Sequence, residues 1–121
     1  MAIDMKQFLY TKGNDQTMDA DLSSAPAFAK VRPGSSLLFW KNGFRWYAIA
    51  YTQIQRIRRG RNTVVGRLCA GGRNYDVEYL ILTLLSGEEL VIHIGDDEKE
   101  KAEALVEHLK AVRPEIPFGK A

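Results

Sequence analysis

Asn42-Gly43 lies between two runs rich in apolar and aromatic residues, SLLFWK and FRWYAIAY. This stretch constrains the fold more than any other in the chain. Asn and Gly tolerate the positive φ that both central positions of a type I′ turn require, so an antiparallel hairpin is predicted across 35–51. After the turn, Trp46, Ala48 and Ala50 alternate with Arg45, Tyr47, Ile49 and Tyr51, the period of a strand. A second hairpin is predicted where the run YLILTLL, apolar on both faces, meets Ser86-Gly87 and returns as Glu88–Ile94, with Leu90, Ile92 and Ile94 on one face. Between the hairpins, Ile54–Ile57 reads as a short strand ending in an arginine loop. Thr63–Leu68 reads as another, followed by turn residues at 70–74. Six or seven short strands at this spacing predict a meander that curls into a barrel or sandwich.

The period then changes. Ala102, Leu105, Val106, Leu109 and Val112 form a stripe at helical spacing. Asp97 is placed to cap this helix, and Glu100 three residues on completes a capping-box pattern. Pro114 disfavours helical geometry at Arg113 and ends it. A stripe of this kind must be buried against the preceding sheet. At the other end of the chain, Met5, Phe8 and Leu9 suggest a short ordered piece. The polar stretch through Ser24 reads as loop. Ala25-Pro26 suits the opening of a helical turn, and Phe28 with Val31 suits a first strand.

The segments LLFWKNGFRWYAIAYTQIQRI, with Tyr51, Ile54 and Ile57 as a Y-x-x-I-x-x-I pattern, YLILTLLSGEELVIHI, and a helix ending in VRPEIP together resemble the pleckstrin-homology-like superfold. More narrowly, they are similar to the bacterial PH-like domains of uncharacterised cytoplasmic proteins. The resemblance covers about residues 27–117. It implies a mainly β domain over 25–121, a PH-like curled antiparallel barrel or sandwich capped by one C-terminal amphipathic helix. Residues 1–24 would form a partly flexible N-terminal segment ahead of it. Two departures matter. The helix 96–112 contains no tryptophan, and the basic cluster follows the Y-x-x-I-x-x-I strand instead of the first one. Phosphoinositide binding is therefore not carried over.

Charge is unevenly distributed. Residues 34–75 carry eight basic residues and no acidic one, whereas 76–121 carry 11 acids against 5 bases. Arg56, Arg58, Arg59, Arg61, Arg67 and Arg73 are the candidates for anion binding, with the first four in the stretch IQRIRRGRN. Their alternative role is to solvate a hairpin tip. Trp40, Trp46, Tyr47 and Tyr51 suit a stacking surface, or a strand with one face in the core and the other under the N-terminal segment. His93 and His108 are expected to be packing or surface residues, and Cys69 a packed thiol. The pair Gly71-Gly72 is expected to form a turn, and Asp96, Asp97, Glu98 and Glu100 to serve the helix start. No zinc, phosphate-loop or nucleophile motif is present in the sequence.

These readings lead to an expected non-catalytic binding or assembly module, docking a protein partner or copies of itself. The alternative is anion recognition, of an anionic membrane surface or nucleic acid, through 34–75. No cofactor or metal is implied. A single cysteine, no apolar run long enough to span a bilayer and an N-terminus unlike a signal peptide lead to an expected cytoplasmic location.

Overall fold

The computed structural model describes residues 5–11, 13, 15–64 and 74–119. It is mainly β, with two antiparallel sheets and two α-helices, one of them C-terminal. A 3-10 turn at Met5–Phe8 leads into β1 (Leu9–Tyr10) and then α1 (Gln16–Ser24). Strands β2 (Val31–Pro33), β3 (Leu37–Asn42) and β4 (Arg45–Ala50) follow, forming with β1 a four-stranded sheet of order β1-β4-β3-β2. A second 3-10 turn, Tyr51–Gln53, leads to β5 (Ile54–Val64), β6 (Tyr75–Leu84) and β7 (Glu89–Asp96), which make the three-stranded sheet in that order. The last element is α2 (Lys99–Val112).

The first hairpin forms, but its turn is shifted by one residue. Asn42 pairs with Arg45, so Gly43-Phe44 is the two-residue loop. Gly43 has φ +66°, and Phe44 is not among the positive-φ residues. A glycine with positive φ at the first central position is the type II′ pattern. The expected type I′ turn centred on Asn42-Gly43 is therefore corrected. The second turn follows the sequence more closely, with Gly87 at φ +92° and its N–H donating to Leu84 O at 2.9 Å.

Each face of the four-stranded sheet has its own cover. Leu38, Trp40, Tyr47 and Ile49 face the main core, where they meet Ile57, Leu80, Leu82, Leu90, Ile92 and Ile94 of the other sheet and Leu105 and Leu109 of α2. Phe39, Leu37, Trp46 and Ala48 face the opposite way and pack with Tyr10, Met18 and Leu22. A strand apolar on both faces needs two layers against it, and α1 is the second layer. This corrects the loop expected through Ser24. Asp15 caps the helix, its carboxylate accepting from Thr17 N at 2.9 Å and Met18 N at 3.2 Å.

The arginine stretch is a further correction. Instead of a short strand and a loop tip, Ile54–Val64 is one strand, paired with β6 from end to end. Gly60 suggests a turn in sequence, but it lies opposite Tyr79 in the ladder. The long partner strand supplies hydrogen bonds through the polar positions, and that outweighs their weak strand propensity. The expected continuation of a strand through Leu68, together with Arg67, Cys69, Gly71-Gly72 and Arg73, lies outside the described residues.

On α2, Ala102, Leu105 and Leu109 are fully buried and Val106 partly so, while Val112 is 46% exposed at the end. The helix stops before Pro114 as expected, with Arg113 N–H donating to Leu109 O. Its start differs. Asp97, at φ +53°, donates its N–H to Asp76 O at 2.7 Å and accepts Asp76 N–H on Oδ1 at 3.0 Å. It clasps the start of strand β6 at Asp76, and the N-cap of the helix is Glu98, without a side-chain cap bond. Past α2, the chain returns to the free edge of β5. Ile57 N–H donates to Pro117 O at 3.0 Å, and Gly119 N–H donates to Ile57 O at 2.9 Å. Among the described residues no helix is long and apolar enough to cross a membrane.

Candidate functional site

Alternation along β5 sorts the arginines onto two faces. Arg59 and Arg61 share the inward face with Ile57, and their ladder partners are Leu80 and Glu78. Arg56 and Arg58 lie on the outward face. The inward face of the three-stranded sheet is thus apolar over Ile57, Leu80 and Leu82 and becomes ionic toward its far end. There Glu78 is wholly buried. Its Oε1 accepts Arg59 Nε at 2.9 Å and Nη2 at 2.7 Å, and its Oε2 accepts Arg61 Nε at 2.8 Å. Glu103 of α2 reaches Arg59 Nη1 at 3.7 Å. Burying a lone carboxylate is prohibitively costly, and two planar guanidinium forks compensate for it in charge and geometry.

The outward arginines are also engaged. Arg58 Nη2 pairs with Glu89 at 3.1 Å across the sheet, and Arg56 Nη1 donates to Gly119 O at 3.3 Å. The structure therefore does not gather Arg56, Arg58, Arg59 and Arg61 around one empty space, and three of the four already hold a carboxylate. Arg67 and Arg73 fall outside the described residues. The sequence reasoning missed Glu78, although its signal was there. Glu78 precedes Leu80, Leu82 and Leu84 at period two, so it belongs to the buried face and needs a cation.

A second missed residue is Asp21. It is 8% exposed on α1, and its carboxylate receives the backbone N–H of Ser35 at 2.6 Å and the Ser35 hydroxyl at 2.8 Å. The N–H groups of Ser36 and Leu37, both at 3.2 Å, complete the set. Burial pushes the Asp21 carboxyl up, but the bonds from Ser35, Ser36 and Leu37 outweigh it and hold the group below the usual carboxylate range. The loop between β2 and β3 is therefore an anion cradle filled by the protein's own side chain. Tyr51 supports the same loop, donating to Gly34 O at 2.9 Å, and Arg113 lies over its ring at 4.4 Å.

The histidines sit in separate places. The His93 ring lies 5.7 Å from that of Tyr79, with Nε2 3.0 Å from Asp96 Oδ1. His108 packs on Phe28 at 5.4 Å and lines a cleft of about 370 Å³ with Ser24, Ser35 and Arg113. Both serines in that cleft are committed elsewhere, Ser24 Oγ to Asp21 O at 3.2 Å and Ser35 Oγ to the Asp21 carboxylate. Trp40 and Tyr47 stack at 5.7 Å inside the core, and Trp46 is half-buried under the N-terminal segment. Among the described residues, no three His, Cys, Asp or Glu side chains are placed to hold a metal ion. Comparison with protein-family models, with curated proteins and with solved structures finds no match.

Proposed function

We propose that the chain is a non-catalytic, cytoplasmic binding module of PH-like form, its two sheets curled around one core and closed by α2, which docks a protein partner along the edge of β5. The observation that carries this reading is the tail. Pro117 and Gly119 already bond to Ile57 as an added strand would, and Phe118 is its bridge partner. Beyond that point β5 has no second strand beside it among the described residues. Since Ile57 turns its N–H and C=O to this edge, alternation turns those of Arg59, Arg61 and Thr63 the same way. An unpaired strand edge is a template for an extended segment, whose main-chain bonds supply affinity. The partner segment is acidic, because the four arginines of 54–64 outnumber the three carboxylates that meet them, Glu78, Glu89 and Glu103.

A two-fold pairing of β5 with its own copy would set arginine against arginine, which is unfavourable across a ladder. A different chain is therefore the better occupant. The test is a calorimetric titration of the full chain with an extended acidic peptide, and with the same peptide N-methylated at alternate residues. Saturable binding lost on methylation is expected. No binding of either peptide at low salt refutes edge docking. Sedimentation at low and high salt reads out self-association separately.

A further inference from the structure

The β3–β4 tip is the other conspicuous surface, and it does not depend on the β5 edge. Both neighbouring strands stop short of it. In β1 the last pair is Tyr10 with Trp46, and in β2 the first is Val31 with Trp40, extended by the bond from Lys41 N to Lys30 O. Residues 42–45 project past both and are exposed. At their apex Phe44 is 99% exposed. The type II′ turn asks for glycine at position 43 and makes no demand for an aromatic ring at 44. A bare phenyl ring gains nothing from folding, since its apolar surface stays in water.

The charged residues of the hairpin itself are of one sign. Lys41 and Arg45 flank the turn, and 34–64 contains no acid. Lys41 Nζ lies 5.9 Å from the half-buried Trp46 ring, which holds this cation at the base of the tip. Lys30 stands behind, 3.5 Å from His93 Nδ1, with Asp96 on the other side of that imidazole. A projecting apolar ring above a collar of cations and an aromatic matches the depth profile of a lipid interface. The ring enters the acyl boundary, and cations meet anionic headgroups.

We propose that the β3–β4 tip contacts anionic membranes, inserting Phe44 with Lys41 and Arg45 at the headgroup level. One ring and two cations give weak, reversible attachment, of the kind that needs a second signal for residence. The probe is co-sedimentation of the full chain with vesicles of mixed phosphatidylserine and phosphatidylcholine, or of phosphatidylcholine alone, at low salt. Wild type is expected to favour the mixed vesicles. Phe44→Ser should weaken that binding about tenfold. Lys41→Gln with Arg45→Gln should weaken it about 25-fold, from roughly fivefold per cation. Phe44→Trp should bind as wild type and shift its emission to the blue on mixed vesicles only. All three variants touch exposed tip positions, and circular dichroism checks the fold. The proposal fails if wild type binds no vesicle, or if Phe44→Ser binds mixed vesicles as tightly as wild type. It also fails if wild type prefers a duplex oligonucleotide and leaves vesicles alone.

Discussion

Arg59 donates to the wholly buried Glu78 at 2.7 Å, so an arginine that reads in sequence as part of a solvated tip is the counter-charge of a core acid. Arg58, its neighbour in the chain, meets a half-exposed Glu89 on the other face. The two should therefore differ in cost. Arg59→Ala strands part of a buried charge and should cost about 2–3 kcal/mol, below the full value for a buried pair because Arg61 stays in place. Arg58→Ala should cost under about 1 kcal/mol. Urea denaturation of the two variants checks this, and equal small losses would show that Glu78 does not depend on Arg59.

Leu105 and Leu109 are the two fully buried leucines of α2. Truncating either to Ala should cost about 2–5 kcal/mol. The double variant should largely unfold a domain whose whole stability is about 5–15 kcal/mol. Glu107→Ala, on the exposed side of the same helix, should cost under about 0.5 kcal/mol. If all three single changes gave the same small loss in thermal or urea unfolding, α2 would not be closing the core.

Acid stability should depend on Asp21. Its carboxyl lies below the usual carboxylate range when folded, held there by the Ser35, Ser36 and Leu37 donors against the opposing push of burial. A folded pKa below the unfolded one means the stabilisation is present above the unfolded value and is lost as pH falls through the folded value. Asp21→Asn removes the charge and turns an amide donor toward backbone donors, and should cost about 1–3 kcal/mol at neutral pH. In a pH series of unfolding midpoints, the gap between wild type and variant should narrow as acid is added. A gap that stays constant through the acid range would show that Asp21 does not titrate with folding.

Gly34 and Gly60 both have crowded surroundings, but of different stiffness. A Cβ at Gly34 would lie 2.6 Å from Asp21 Oδ2, into a carboxylate pinned by four hydrogen bonds. At Gly60 the nearest atom is Ile81 Cδ1 at 2.9 Å, the free end of a flexible side chain. Gly34→Ala should therefore destabilise clearly more than Gly60→Ala. Combined with Asp21→Asn it should add less than its separate cost, because both act on one contact. A fully additive double variant would mean that Gly34 acts through something other than Asp21.

The sequence alone determined what local pattern can encode. Two hairpins follow from the runs around Gly43 and Gly87, and the C-terminal helix from the spacing of Ala102, Leu105 and Leu109. Its end follows from Pro114. Each rests on periodicity and turn chemistry within a dozen residues, and each was legible to within a residue or two. The tertiary structure decided the partners. The stretch Ile54–Val64 is a strand because β6 pairs with it along its length, and Gln16–Ser24 is a helix whose Leu22 covers the second apolar face of β3 and β4. Arg59 and Arg61 lie 19 and 17 positions from Glu78 in the chain, and the three become a charge cluster only in the ladder. Asp21 meets Ser35 from 14 residues away. A polar side chain carries no mark of which donor will meet it, since that depends on long-range geometry. The chain can therefore show where charges are concentrated, but only the fold shows which of them are already neutralised.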